Sequence, residues 1–267
     1  MRSKSLILAL LCVVFTSCSE YSRLQKSTDP DEKFQAGKNY FQEKKYAKST
    51  TMFESIVQYF RGTPQAEELV YMLAESYMGQ KDNYSASEYY QAYLRNYPRG
   101  QYAEEVRYKV AYCYYLESPD ARLDQTETDN ALISFYEFAD LYPESEHIEQ
   151  CYRYITELED KLAYKGFLNA KLYYDLGLFG GNNYKACVVT AENTLREYPE
   201  TKYRDDLVFV ILQSKAKEAS MSVPEKRAER YSDVIDEYYR YINEFSEGRH
   251  KKEANKILKE ARQVVKL

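Results

Sequence analysis

The cysteine set up for covalent chemistry is Cys18. A basic start, Arg2 and Lys4, leads into the apolar run LILALLCVVF, and Phe15-Thr16-Ser17 then stand directly before Cys18. A run of that length falls short of the roughly 20 apolar residues that a spanning helix needs, and it has the form of a secretory leader. Small residues immediately before a cysteine mark the site at which bacterial lipoproteins are cut and acylated, although Phe15 stands where leucine is usual. The expectation is a signal peptide over 1–17 and a mature chain starting at Cys18, which carries diacylglycerol and an N-acyl chain and is held to a membrane by them. Ser19 rather than aspartate follows, which points to export to the outer membrane.

The other reactive residue types form no site. His147 and His250 are the two histidines, far apart and without metal-ligand spacing. Cys113, Cys151 and Cys187 are an odd number in helix-like apolar contexts, as buried unreactive thiols would be. The glycines at 177–181 lack the Gly-Lys-Ser/Thr of a phosphate loop, and Asn83-Tyr84-Ser85 matches a glycosylation acceptor at the level of chance. The carboxylates are spread over helix faces. These residues predict a protein that is not an enzyme and takes no metal or cofactor. Losing residues 1–17, with their two basic side chains, takes the formal charge from −5 to −7, which argues against a nucleic-acid partner.

What remains is binding, and the elements that would present it repeat. The segment YPRGQYAEEVRYKVAYCYY at 97–115 returns in degraded form from Tyr59, Tyr142, Tyr198 and Phe245. From Asp31 onward apolar residues recur at three- and four-residue steps, with Gly and Pro mostly in the junctions. The pattern fits the tetratricopeptide helix pair. Ala36, Gly37 and Tyr40 are close-packing positions of a first helix, and Tyr46, Phe53 and Ile56 face them from a second. Leu73, Ala74 and Tyr77 with Tyr84, Tyr90 and Leu94 repeat the scheme, as do Val110, Ala111 and Tyr114 with Ala131, Phe135 and Phe138. The fold class is all-α, a solenoid of about five helix pairs with a capping helix at 249–266. The parts are a tether at 18–30, loosely ordered, repeats 1–3 at 31–143, and repeats 4–5 with the cap at 144–267. The insertion 117–129 is too long for a simple turn, and Thr128 or Asp129 could cap the helix after it. Residues 146–178 are one long helix or two abutting ones.

In such stacks the first helix of each pair lines the concave face. Positions one turn away from the packing residues are Phe34, Lys38 and Phe41, then Tyr71, Glu75 and Met78, then Tyr108, Tyr112 and Tyr115. Tyrosine offers a broad apolar face, a polar tip and little rotamer entropy to lose, which suits peptide capture. The competing reading is that a chain with 30 tyrosines and no tryptophan builds its core from tyrosine.

YYLESPDARLDQTETDNAL at 114–132, the LQKSTD before the repeats, DKLAYKGFLNAKLYYDLG at 160–177 and LREYPETKYRDD at 195–206 resemble the BamD family. These are the tetratricopeptide lipoproteins of the outer-membrane β-barrel assembly machinery. The resemblance covers nearly the whole chain from Cys18. It implies a lipid-anchored adaptor on the periplasmic face of the outer membrane of a Gram-negative bacterium. The implied partners are unfolded outer-membrane β-barrel proteins at the N-terminal repeats, a BamA-type barrel subunit at the C-terminal half, and other lipoproteins of the complex. Carried over by position, Arg204 and Asp205 become the expected contacts with the barrel subunit. Lys165-Gly166 replaces an acidic residue common in the family, which removes a charge contact there. A lipoprotein that scaffolds envelope or cell-wall enzymes, or one that captures glycans, would share the groove.

Overall fold

The structure, a computed structural model, describes residues 20–265; Cys18 and the leader lie outside the described residues. Twelve helices and no strand are found among them. They are α1 (20–26), α2 (Pro30–Gln42), α3 (Tyr46–Ile56), α4 (Ala66–Gly79), α5 (Asn83–Asn96) and α6 (Ala103–Glu117). After a loop follow α7 (Thr126–Leu141), α8 (Ile148–Leu176), α9 (Asn183–Glu197), α10 (Arg204–Ser220), α11 (Pro224–Glu244) and α12 (Lys251–Val265). The chain divides into two compact units. The first runs to Ser118 and includes Thr126–Cys151; the second comprises Pro119–Gln125 and the chain from Tyr152 onward.

In the first unit each helix packs on its neighbours in sequence, from α2 on α3 through to α6 on α7. Small residues set the spacing inside the first pair. A Cβ on Gly37 would stand 2.5 Å from the Phe53 ring, so only glycine lets α2 and α3 approach this closely. In the second unit α9, α10, α11 and α12 pack in succession, and α12 also reaches α10. Ala170 of α8 joins their core beside Cys187, Ala191 and Leu207. This is the tetratricopeptide arrangement: five helix pairs, α2/α3 to α10/α11, with α12 as the cap.

Two local expectations change. Residues 18–30 are not a loose tether from residue 20 on: α1 lays Leu24 against Ala36 and Met52, and Leu24 is buried. Arg23 pairs with Glu32 at 2.6 Å, and Asp29 caps α2 by accepting from the amides of Asp31 and Glu32. An apolar side chain every turn, however short the helix, is enough to dock it. The cap expected at Thr128 or Asp129 is also displaced, because α7 already begins at Thr126. Thr128 is buried and shares a hydrogen bond of 2.6 Å with Ser118. The 146–178 stretch is one unbroken helix of 29 residues.

The abundance of tyrosine has a packing explanation. Tyr90, Tyr93 and Tyr241 are fully buried. A buried phenol needs a hydrogen-bond partner, and each finds a carboxylate: Tyr90 donates to Glu75, Tyr93 to Glu67 at 2.5 Å and Tyr241 to Asp205 at 2.8 Å. Burial, reinforced by these acids, raises all three phenol pKa values.

Candidate functional site

The residues expected to line a groove fall into three environments. Phe34 is not on an accessible face. It is buried in the core of the first pair, its ring 5.1 Å from Phe60, because the α3–α4 connection folds Phe60 back against α2. Lys38 crosses to α4 and pairs with Glu68 at 2.6 Å, and Phe41 packs edge-on against Tyr46. Tyr71 lies flat on Tyr102, with ring centroids 3.9 Å apart, and Met78 packs against the core between α4 and α6.

The densest cluster is centred on α6. Tyr108, Tyr112 and Tyr115 recur at helical spacing and stack as a ladder, with centroid separations of 6.2 and 6.0 Å. His147 extends it by lying parallel on Tyr108 at 4.2 Å. Beside the ladder runs a charge relay: Lys109 reaches Glu75 at 2.5 Å and Glu105 at 3.1 Å, and Glu105 meets His147 at 2.7 Å. Burial works against the Lys109 charge, but Glu75 and Glu105 outweigh it and its pKa is raised. For Glu105 burial likewise opposes ionisation, while Lys109 and His147 overcome it and lower the pKa. Glu75 and Glu105 are thus answered by Lys109 and His147, and the cluster is closed on itself.

In the second unit Arg204 and Asp205 open α10 and are tied within the chain. The Arg204 guanidinium bonds the Glu244 carboxylate and donates to the Pro199 carbonyl at 3.1 Å. An arginine at a helix N-terminus gains nothing from the helix dipole; Glu244 supplies the reason for it. Asp205 is not presented to a partner. It is buried, accepting from the Tyr241 hydroxyl and from the Arg249 amide at 2.9 Å. Lys165 donates to the Leu123 carbonyl at 2.8 Å and so fastens the 119–125 loop to α8.

That role of Asp205 recurs. Glu67 accepts from the Gln101 amide at 2.7 Å just before α6, and Asp160 from the Lys202 amide at 3.0 Å just before α10. Neither α6 nor α10 has a side-chain cap of its own. In each case the carboxylate holds the residue before the N-cap and so fastens the approach to the helix to the preceding repeat. Sequence reading missed these carboxylates because they look like solvated helix positions; the one available signal is an acid at the second position of a first helix, as in Ala66-Glu67 and Arg204-Asp205. Both histidines share a second device. His250 lies on Phe209 at 4.2 Å and meets Asp206 at 2.7 Å, as His147 does with Tyr108 and Glu105. Cys113, Cys151 and Cys187 are free and buried, and burial pushes the thiols of Cys113 to about 12 and Cys151 to about 11.

Comparison with known proteins comes to the same place. The sequence is 27% identical over 250 residues to a chain of Aquifex aeolicus (strain VF5) provisionally named outer membrane protein assembly factor BamD. The match covers 93% of this chain and 79% of that one. A crystal structure of kinesin-light-chain TPR-like repeats from Podosopora anserina is 13% identical, with a TM-score of 0.34, covering 88% of this chain and 93% of that one. Residues 26–180, more than half of the chain, match the family described as YfiO, outer membrane lipoprotein. With its stacked helix pairs and the motifs at 114–132, the chain belongs to the YfiO outer membrane lipoprotein family.

Proposed function

We propose that the protein is a lipid-anchored adaptor of outer-membrane β-barrel assembly. The anchor is acylated Cys18, the first unit captures unfolded barrel proteins, and the second docks on the periplasmic domains of a BamA-type subunit. Family membership and the name of the Aquifex relative support the general role. The observation that carries peptide capture is the ladder of Tyr108, Tyr112 and Tyr115 beside Lys109, Glu75 and Glu105. Stacked phenols offer flat apolar faces to an aromatic side chain.

The test is binding of a fluorescent peptide ending in an aromatic residue. Tyr108→Ala with Tyr112→Ala should weaken it by about 1–3 kcal/mol, as loss of an interface anchor does, with helicity unchanged. Equal affinity in a well-folded double variant removes the proposal. For the anchor, Cys18→Ala should release the protein from membranes, and mass measurement of the parent should show an acylated N-terminus at Cys18.

Docking on the barrel subunit requires Arg204 to exchange an internal partner for an external one. Glu244→Gln breaks the same internal ion pair but leaves the guanidinium. If Arg204 grips the partner through paired hydrogen bonds, pull-down of the subunit falls with Arg204→Gln and holds with Glu244→Gln. Equal losses in the two variants make Arg204 a purely internal tie.

A further inference from the structure

The turns inside the repeats differ in character between the units. In the first unit the α2–α3 turn is Glu43-Lys44-Lys45 and the α4–α5 turn is Gln80-Lys81-Asp82, all charged or polar. In the second unit the α8–α9 turn carries Leu178 and Phe179, and Phe179 is 83% exposed. The α10–α11 turn carries Met221 and Val223, both more than half exposed. The two turns are neighbours: Asn182 donates to Glu218 at 2.9 Å, and Arg230, which also bonds Ser222, reaches the same carboxylate at 3.3 Å. Leu172 and Leu176 continue the exposed apolar surface along the end of α8. These side chains keep much of their apolar surface in solvent, Phe179 most of all.

The backbone of the Phe179 tip is closed on itself. The Phe179 amide donates to the Leu176 carbonyl at 3.0 Å, and its carbonyl accepts from the Asn183 side chain at 2.7 Å. The Leu178 carbonyl accepts from Gly181, and that of Gly177 from the Asn183 amide. Gly177 and Gly180, at φ 56° and 71°, permit this tight path. Satisfying backbone groups internally is what an apolar medium demands and water does not. Exposed Lys185, Lys226 and Arg227 open α9 and α11 at the same edge; they outnumber Glu225 in the first turn of α11, although Arg227 also donates to the Ser222 carbonyl at 3.0 Å, and a surface meeting anionic headgroups needs such an excess. A protein of an outer membrane lipoprotein family works beside such a surface.

We propose that this edge of the second unit is a second membrane contact: Leu178, Phe179, Met221 and Val223 enter the headgroup region of an anionic phospholipid surface while the three cations meet the phosphates. A lipid on the N-terminus tethers the chain without orienting it; a second contact orients the unit that follows.

The absence of tryptophan makes the test direct. Phe179→Trp places a single indole at the tip. The acylated protein is mounted on vesicles of phosphatidylglycerol and phosphatidylethanolamine with brominated acyl chains. The indole emission should shift to the blue and be quenched at least about twofold, the depth expected of interfacial apolar side chains. Adding Lys226→Glu and Arg227→Glu should restore most of the emission, and Tyr84→Trp, exposed at the start of α5 in the first unit, should not be quenched. Sedimentation with the vesicles reads the anchor and quenching reads the loop, so the two ideas fail separately. An unquenched, water-like indole on vesicle-bound protein overturns the proposal. So does a blue shift without quenching that appears only when a barrel-subunit domain is added, because the edge would then be a protein-binding surface.

Discussion

At the scale of single residues the structure turns on carboxylates that accept two bonds at once. Asp205 holds the Tyr241 hydroxyl and the Arg249 amide. Asp205→Ala leaves the buried Tyr241 hydroxyl and the part-buried Arg249 amide without this acceptor and should cost about 1–3 kcal/mol in urea unfolding; Asp205→Asn, which keeps an oxygen in place, should lose less than half of that. Any loss of partner binding in these variants should follow stability, since the side chain is inside. Gly100 makes a sharper case. A Cβ there would stand 2.2 Å from Glu67 Oε1 and 2.3 Å from the Tyr93 hydroxyl, in the middle of the hydrogen bond between them. Gly100→Ala should destabilise by about 1–3 kcal/mol, as overpacking does, whereas Gly62 has nothing within 4 Å of its Cβ position and a substitution there meets only the strain of φ 81°. Unfolding curves of the two variants measure the difference.

At the scale of elements, helix spacing is set by single small residues. A Cβ on Gly166 of α8 would meet the Thr194 side chain of α9 at 2.2 Å. Gly166→Ala should lower the unfolding midpoint, and adding Thr194→Ala, which vacates the space, should recover at least half of the loss; a double-mutant cycle reads that coupling. The helices themselves were legible because apolar residues recur at 3.6-residue spacing, and the pairing was legible from small residues such as Gly37 and Ala74 at matching places. The expected groove positions were legible only in part. A template places Phe34 by register, but its burial depends on Phe60, which arrives through a tertiary fold-back that periodicity does not encode. The carboxylate ties between repeats were invisible for the same reason: Glu67 and Gln101 are 34 residues apart and Asp205 and Arg249 are 44, distances at which no local pattern acts.

At the scale of the whole molecule, the core reading of the tyrosines holds at three positions, and the peptide-capture reading belongs to the proposal made for three others. Tyr90, Tyr93 and Tyr241 are core, while Tyr108, Tyr112 and Tyr115 are half-buried and stacked. The core phenols make alkaline stability predictable. Burial and then neighbouring carboxylates raise Tyr77, Tyr90, Tyr93 and Tyr241 above their ordinary value of 10. A folded pKa above the unfolded one contributes stability that is complete below pH 10 and drains away as the pH climbs from there toward the folded values. Tyrosinate absorbance should therefore rise in two stages: exposed phenols such as Tyr59 and Tyr84 ionise first with the helices intact, and a later rise accompanies loss of helical circular dichroism above pH 10. Absorbance that is complete before any helix is lost would show that the four hydroxyls are not held as described.

A helix whose approach is tied to the repeat before it acquires a direction of assembly. The amide just before α6 waits for Glu67, that before α10 for Asp160, and that of Arg249, before α12, for Asp205; in every case the acceptor precedes the donor in the chain. Synthesis delivers the N-terminal segments first, so each finished repeat presents the ligand that starts the next, and the last repeat to emerge finds its template already built.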